Sequence, residues 1–125
     1  MRLRGKRALV TGAATGIGQA IAQGLAAVGA VVVATDLDVA GAVATAKGMG
    51  TGHHGVGVDV ASEPSVIEMV KQAVAHAGGL DVLVTVAGIG MHKPFLSVTL
   101  EDWQKVHGIN LQGTFLCCRE VARHL

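Results

Sequence analysis

The chain of 125 residues has room for one core, and a domain of that size buries roughly two-thirds of the surface its unfolded form exposes. A formal net charge of +1, with 15% charged residues spread along the sequence, leaves no basic stripe for nucleic acid and no polybasic anchor for a membrane. Half of the residues are hydrophobic while aromatics make up only 2% and glycines number 18, a mixture suited to Val- and Ala-rich parallel strands under small-faced helices.

The opening MRLRGKRALV carries positive charge, but its apolar stretch stops at Thr11-Gly12, and no run approaches the roughly 18 apolar residues that cross a bilayer. Ala8, Leu9 and Val10 form a short strand pattern. Ile17, Ala20, Ile21, Gly24, Leu25 and Val28 then recur at helical spacing, which predicts a helix over about 17–28 that stops at Gly29. Val31 to Ala34 is an unbroken apolar run, as expected of a strand covered on both faces, and it ends at Thr35 and Asp36. An Ala- and Val-rich helical segment follows over about 38–47, and 48–52 reads as loop. His54 to Val60 reads as a third strand with Asp59 at its carboxyl end, although its glycines weaken the pattern.

Ser62 suits the N-cap of a helix over 63–77, with Pro64 tolerated in the first turn and Gly78-Gly79 as its stop. Leu80 to Val86 is a fourth buried strand and residues 87–90 a turn. Thr99 followed by Asp102 resembles a capping box, opening a helix that reaches the last residues, with Gly108 and Gly113 inviting a local irregularity. Strand and helix thus alternate along the chain, as in an α/β fold with right-handed parallel crossovers. The adjacent Cys117 and Cys118 do not read as a disulfide framework or as spaced zinc ligands, which fits a reducing, cytoplasmic setting with one thiol in the core and one partly exposed. His53 and His54 fall on opposite faces of a strand, so no metal site is expected.

The chemistry concentrates in TGAATGIG, residues 11–18, between the first strand and the first helix. Its glycines let the main chain turn sharply and approach a pyrophosphate, and Gly18 falls where a helix presents unpaired N–H groups. Asp36, closing the next strand, can accept both ribose hydroxyls of adenosine and repel the 2′-phosphate of NADP; it can equally cap the helix that follows it. No Lys or Arg stands at Ala13, Ala14 or Leu37 to attract that phosphate, so NAD is the expected cofactor.

These motifs make the chain resemble the N-terminal part of a short-chain dehydrogenase/reductase over nearly its whole length. TGAATGIG resembles the family's TGxxxGxG cofactor loop, which implies cofactor contacts from Gly12, Thr15, Gly16, Ile17 and Gly18. Asp36 with Leu37 matches the NAD-selecting position, and Asp59 with Val60 matches the pair that meets adenine. LDVLVTVAG at 80–88 resembles the fourth strand and its NNAG motif, of which Ala87 and Gly88 remain, while Thr85 and Val86 stand where asparagines are usual. Thr85 can replace part of that amide network and Val86 none, so a looser nicotinamide side is expected. Asn110 in GINLQGTF matches the helical asparagine of the catalytic tetrad, whose carbonyl is implied to hold a water of the proton relay.

The resemblance implies a Rossmann-type, doubly wound parallel sheet, here of about four strands in the order 3-2-1-4. It also places the catalytic serine and Tyr-x-x-x-Lys beyond Leu125, and the sequence contains no tyrosine. His92, Lys105 and His107 could move protons, but each reads more simply as a solvated side chain. Met91 and Phe95 hint at an apolar wall on the substrate side. The last helix, with Trp103, Val106, Phe115, Leu116 and Val121, resembles the family's dimerisation helix, so a homo-oligomer is expected through residues 101–125 or through the edge of the fourth strand. The implied function is NAD-dependent interconversion of a secondary alcohol and a ketone by hydride transfer, with this chain supplying the cofactor-binding part. The rival reading is a non-catalytic nucleotide-binding or interaction module, and the plainest is a piece without function of its own.

Overall fold

The computed structural model describes residues 2–125. Among these residues four strands form one parallel sheet in the order β3-β2-β1-β4: β1 (Arg7–Thr11), β2 (Val31–Asp36), β3 (His54–Gly57) and β4 (Val82–Val84). Between and after them lie α1 (Gly16–Ala27), α2 (Val39–Gly48), α3 (Glu63–Ala77), α4 (Leu100–His107) and α5 (Gly113–Ala122). This is the doubly wound parallel order expected from the sequence.

Alternation along the central strands divides the core by side-chain size. Ala8 and Val10 of β1 and Val32 and Ala34 of β2 pack with Ala13, Ala22 and Ala30, so α1 approaches through small residues. Leu9 and Val33, pointing the other way, join Val66, Met69 and Val70 of α3 and Leu116, Cys117 and Val121 of α5 in a larger cluster. Both faces are covered, which is why the strands read as continuous apolar runs. The glycines that weakened the third strand pattern have a packing reason: a Cβ on Gly55 would lie 2.5–2.7 Å from the Val43 and Ala42 backbone of α2.

Strands three and four are shorter than the apolar runs suggested. β3 stops at Gly57 because the next groups turn into α3: Asp59 N–H donates to the Ser65 hydroxyl at 2.9 Å, and Ala61 N–H to the Asp59 carboxylate at 3.0 Å. β4 stops at Val84 because Val86 and Ala87 give their N–H groups to a side chain rather than to a strand. Leu80, outside the strand, is nonetheless a core residue at 1% exposure. The long terminal helix is interrupted by a π turn over Gly108–Gln112, between the glycines that suggested an irregularity.

Side-chain caps start three of the helices. Asp38 accepts from Gly41 N–H at 3.0 Å, Ser62 from Ser65 N–H at 3.3 Å, and Thr99 from Asp102 N–H at 3.0 Å in a closed capping box. The cap of α2 is therefore Asp38 and not Asp36. The Asp102 carboxylate also receives Lys93 Nζ at 2.8 Å, and this bond, with the Thr99 N–H, holds its pKa down at about 2. His53 accepts the Val32 N–H on Nδ1 at 3.0 Å, while His54 stacks on His76 with ring centroids 4.5 Å apart. Cys117 is buried, which pushes its thiol up to about 11, and Cys118 is exposed.

Candidate functional site

Parallel sheets leave a crevice outside the carboxyl ends of their strands where neighbouring connections diverge to opposite faces. Here that point lies between β1, whose chain leaves through the glycine turn into α1, and β4, reached from the far edge of the sheet by α3. A cleft of about 440 Å³ opens at this place. Gly12, Thr15, Gly16, Ile17 and Gly18 line it from the turn, Asp36 and Leu37 from the end of β2, Asp59 and Val60 from beyond β3, and Ala87 and Gly88 from beyond β4. Val58, Val86, Ile89 and Ile109 complete an apolar wall.

The turn is shaped by close approach. Gly12 sits at φ +67°, and a Cβ there would lie 2.9 Å from the Ala87 nitrogen, so only glycine lets β1 and the segment after β4 meet. Thr15 is the N-cap of α1 but, unlike the residues that start α2, α3 and α4, its side chain makes no capping bond. The first N–H groups of α1 therefore face the cleft without a side-chain acceptor, at the positive end of a twelve-residue helix. Among the lining residues the only ionisable side chains are Asp36 and Asp59.

Asp36 has two protein partners of its own. Oδ2 accepts the Ala14 N–H at 3.0 Å and Oδ1 the Asp38 N–H at 3.0 Å, so the carboxylate is fixed at the cleft wall and ties the glycine turn to β2. Thr11, absent from the expected site residues, accepts from both Val86 and Ala87 N–H groups, at 3.1 and 3.2 Å. This link across the sheet comes from Thr11, where the sequence had suggested that Thr85 could replace part of the amide network; Thr85 borders a small void beside Thr114 and Cys117. The signal for Thr11 was its place as the first residue of the TGxxxGxG pattern, where the glycines alone drew the reading.

Asn110 does not line the cleft; it holds the cleft's rim. Its Oδ1 accepts the Ile89 N–H and its Nδ2 donates to the Ile89 carbonyl, both at 2.8 Å, which fixes the chain just after Gly88. It lies within the π turn, and its own carbonyl accepts the Thr114 hydroxyl at 2.9 Å. His92, Lys105 and His107 are not brought to the cleft; His107 stacks on Trp103 with centroids 4.0 Å apart. Phe95 is 88% exposed and packs down no wall. Among the described residues there is no group of three or more His, Cys, Asp or Glu side chains arranged to hold a metal ion, and no helix is long and apolar enough to cross a membrane.

Comparison with known proteins agrees with this geometry. The family model described as short chain dehydrogenase matches residues 6–125. The chain belongs to the short-chain dehydrogenase family. It is 43% identical over 127 aligned positions to a D-threitol dehydrogenase of Mycolicibacterium smegmatis, covering 99% of this chain and 49% of that protein. It is 38% identical to a 3-oxoacyl-[acyl-carrier-protein] reductase of Aquifex aeolicus, covering 100% of this chain and 52% of that protein. A dehydrogenase/reductase structure from Sinorhizobium meliloti superposes with a TM-score of 0.90 at 35% identity, over 98% of this chain and 50% of that one. The chain thus spans about half the length of the short-chain dehydrogenases it matches. Members of this family are oxidoreductases that bind nicotinamide cofactors.

Proposed function

We propose that the cleft binds NAD(H), and that the protein to which this chain contributes interconverts a secondary alcohol and a ketone. The reading is carried by one observation: the glycine turn, the uncapped start of α1 and the fixed Asp36 carboxylate converge on one crevice at the carboxyl edge of the sheet. The residues fit the cofactor. Gly16, at φ +59°, has nothing within 4 Å of where a Cβ would stand, so the turn is open toward the cleft; the N–H groups of α1 suit a diphosphate, and Asp36 offers oxygens to ribose hydroxyls. On this reading Asp59 and Val60, which line the cleft, meet adenine, and Ala87, Gly88 and Ile89 meet the nicotinamide end.

When bound, the cofactor supplies hydride transfer, the chemistry that no amino-acid side chain performs. The chain's own residues bind and orient it. Asp36 disfavours NADP because the cleft offers no cation to offset a 2′-phosphate beside a carboxylate. Asn110 contributes by holding the rim at Ile89, keeping the nicotinamide side in shape. That the relatives are named both as a dehydrogenase and as a reductase supports a secondary alcohol/ketone couple.

Titration calorimetry of the 125-residue chain with NAD, NADP and ADP tests the binding half. NAD is expected to bind about tenfold or more tightly than NADP. No heat with NAD at millimolar concentration, or a preference for NADP, would refute it.

A further inference from the structure

We propose that Thr45, on α2 and outside the cleft, is a positioning residue for the cofactor loop, and this rests on the nucleotide reading above. A threonine inside a helix usually turns its hydroxyl back to the carbonyl four residues earlier. Thr45, only 2% exposed, instead places Oγ1 2.9 Å from the Ala13 carbonyl of the glycine turn. The same oxygen receives Gln19 Nε2 of α1 at 3.3 Å. An amide nitrogen only donates, so the hydroxyl proton is directed to Ala13.

The Ala13 carbonyl and the Ala14 N–H are the two polar ends of one peptide plane. Thr45 grips the first, and the Asp36 carboxylate grips the second at 3.0 Å. A plane held at both ends cannot flip, and the Ala13 N–H, bonded to the Thr35 carbonyl at 3.0 Å, fixes the plane before it. The chain leaves this clamp directly into Thr15 and the uncapped first turn of α1, so the direction in which those N–H groups point is set from α2 and β2. Binding then meets a loop already in its receptive form, and the ligand bears no ordering cost. The Ala-rich segment VAGAVATAKG offers no other hydroxyl that could do this.

The test uses Thr45→Val, which keeps the shape and removes the hydroxyl, and Thr45→Ser, which keeps the hydroxyl. Two readouts are taken on the whole chain: NAD affinity by calorimetry, and amide hydrogen exchange at Ala14 in the ligand-free protein. Thr45→Val is expected to weaken NAD binding about fivefold and to speed Ala14 exchange about fivefold, with Thr45→Ser restoring both. If Thr45→Val fails to fold, Gln19→Leu, which removes only the donor that orients the hydroxyl, is expected to move both readouts in the same direction by about twofold. Unchanged exchange at Ala14 overturns the proposal, and so does equal damage from Val and Ser, which would mark a packing role. If the unmodified chain binds no NAD, the function reading fails while exchange at Ala14 still decides the role of Thr45.

Discussion

Replacing Asp36 by asparagine separates two roles that one carboxylate combines. The side chain accepts the Ala14 N–H on one oxygen and the Asp38 N–H on the other, both at 3.0 Å. Asparagine keeps one acceptor and turns an NH2 toward the other backbone N–H, so one bond to a charged acceptor becomes two donors facing each other. Such a bond contributes about 1.5–3 kcal/mol, and this site is half-buried rather than dry, so a loss of about 1.5–2 kcal/mol is expected. For a chain of 125 residues that corresponds to a fall in Tm of roughly 5–9 °C. NAD affinity should fall about tenfold or more, because the ribose loses a charged acceptor and the turn loses its tether at Ala14. NADP affinity should rise by far less than NAD affinity falls, since relief of repulsion is offset by the loosened turn. Thermal melts in the absence of ligand, followed by parallel titrations with NAD and NADP, measure each part. An Asp36→Asn variant that melts at the unmodified temperature would refute the tether, whatever its cofactor preference.

Two further outcomes follow from the geometry. His53 is held below its ordinary pKa of 6.5, first by burial and then by the neighbouring His54, and its neutral Nδ1 accepts the Val32 N–H. Its contribution to stability is therefore fully present above pH 6.5 and is lost as pH falls through the lower folded value; an NMR titration of His53 with a midpoint at or above 6.5 would contradict this. For self-association, the face carrying Trp103, Leu111 and Phe115 is exposed and lines a groove of about 480 Å³, whereas Leu116 and Val121 are committed to the core. If the chain pairs through this face, Leu111→Glu shifts sedimentation toward monomer without lowering Tm, and an unchanged profile would exclude the face.

The parts legible in the sequence were those with a local signature. The glycine spacing of TGAATGIG, the apolar run of β2 and the caps at Ser62 and Thr99 each describe one short stretch of chain; the alternation of strands with helices pointed to parallel crossovers, and the order of the strands came from the family resemblance. What escaped were bonds between a side chain and a distant backbone group. Thr11 to Val86, Thr45 to Ala13 and Asn110 to Ile89 join positions that no periodicity links. The same bonds explain the strand lengths: an apolar run continues to Val86, but hydrogen bonding, which defines the strand, turns aside at Thr11. Asp36 was read as either ribose acceptor or helix cap; the cap proved to be Asp38, and Asp36 took a tethering role that only the folded turn creates.

The π turn over Gly108–Gln112 makes the length of this segment as binding as its composition. A π turn takes one residue more than the α-helix needs to close the same turn, so the extra residue is absorbed as a local widening and the flanking helices keep their facing. Deleting one residue between 108 and 112 would therefore restore a regular helix and leave Leu116, Cys117 and Val121 directed at α3, while removing the bulge that carries Asn110 to Ile89. The core would stand and the rim of the cleft would lose its hold. Alignments across this stretch should accordingly treat a one-residue gap as the loss of that hold, and grafts should carry the whole segment from His107 to Gly113 as one unit.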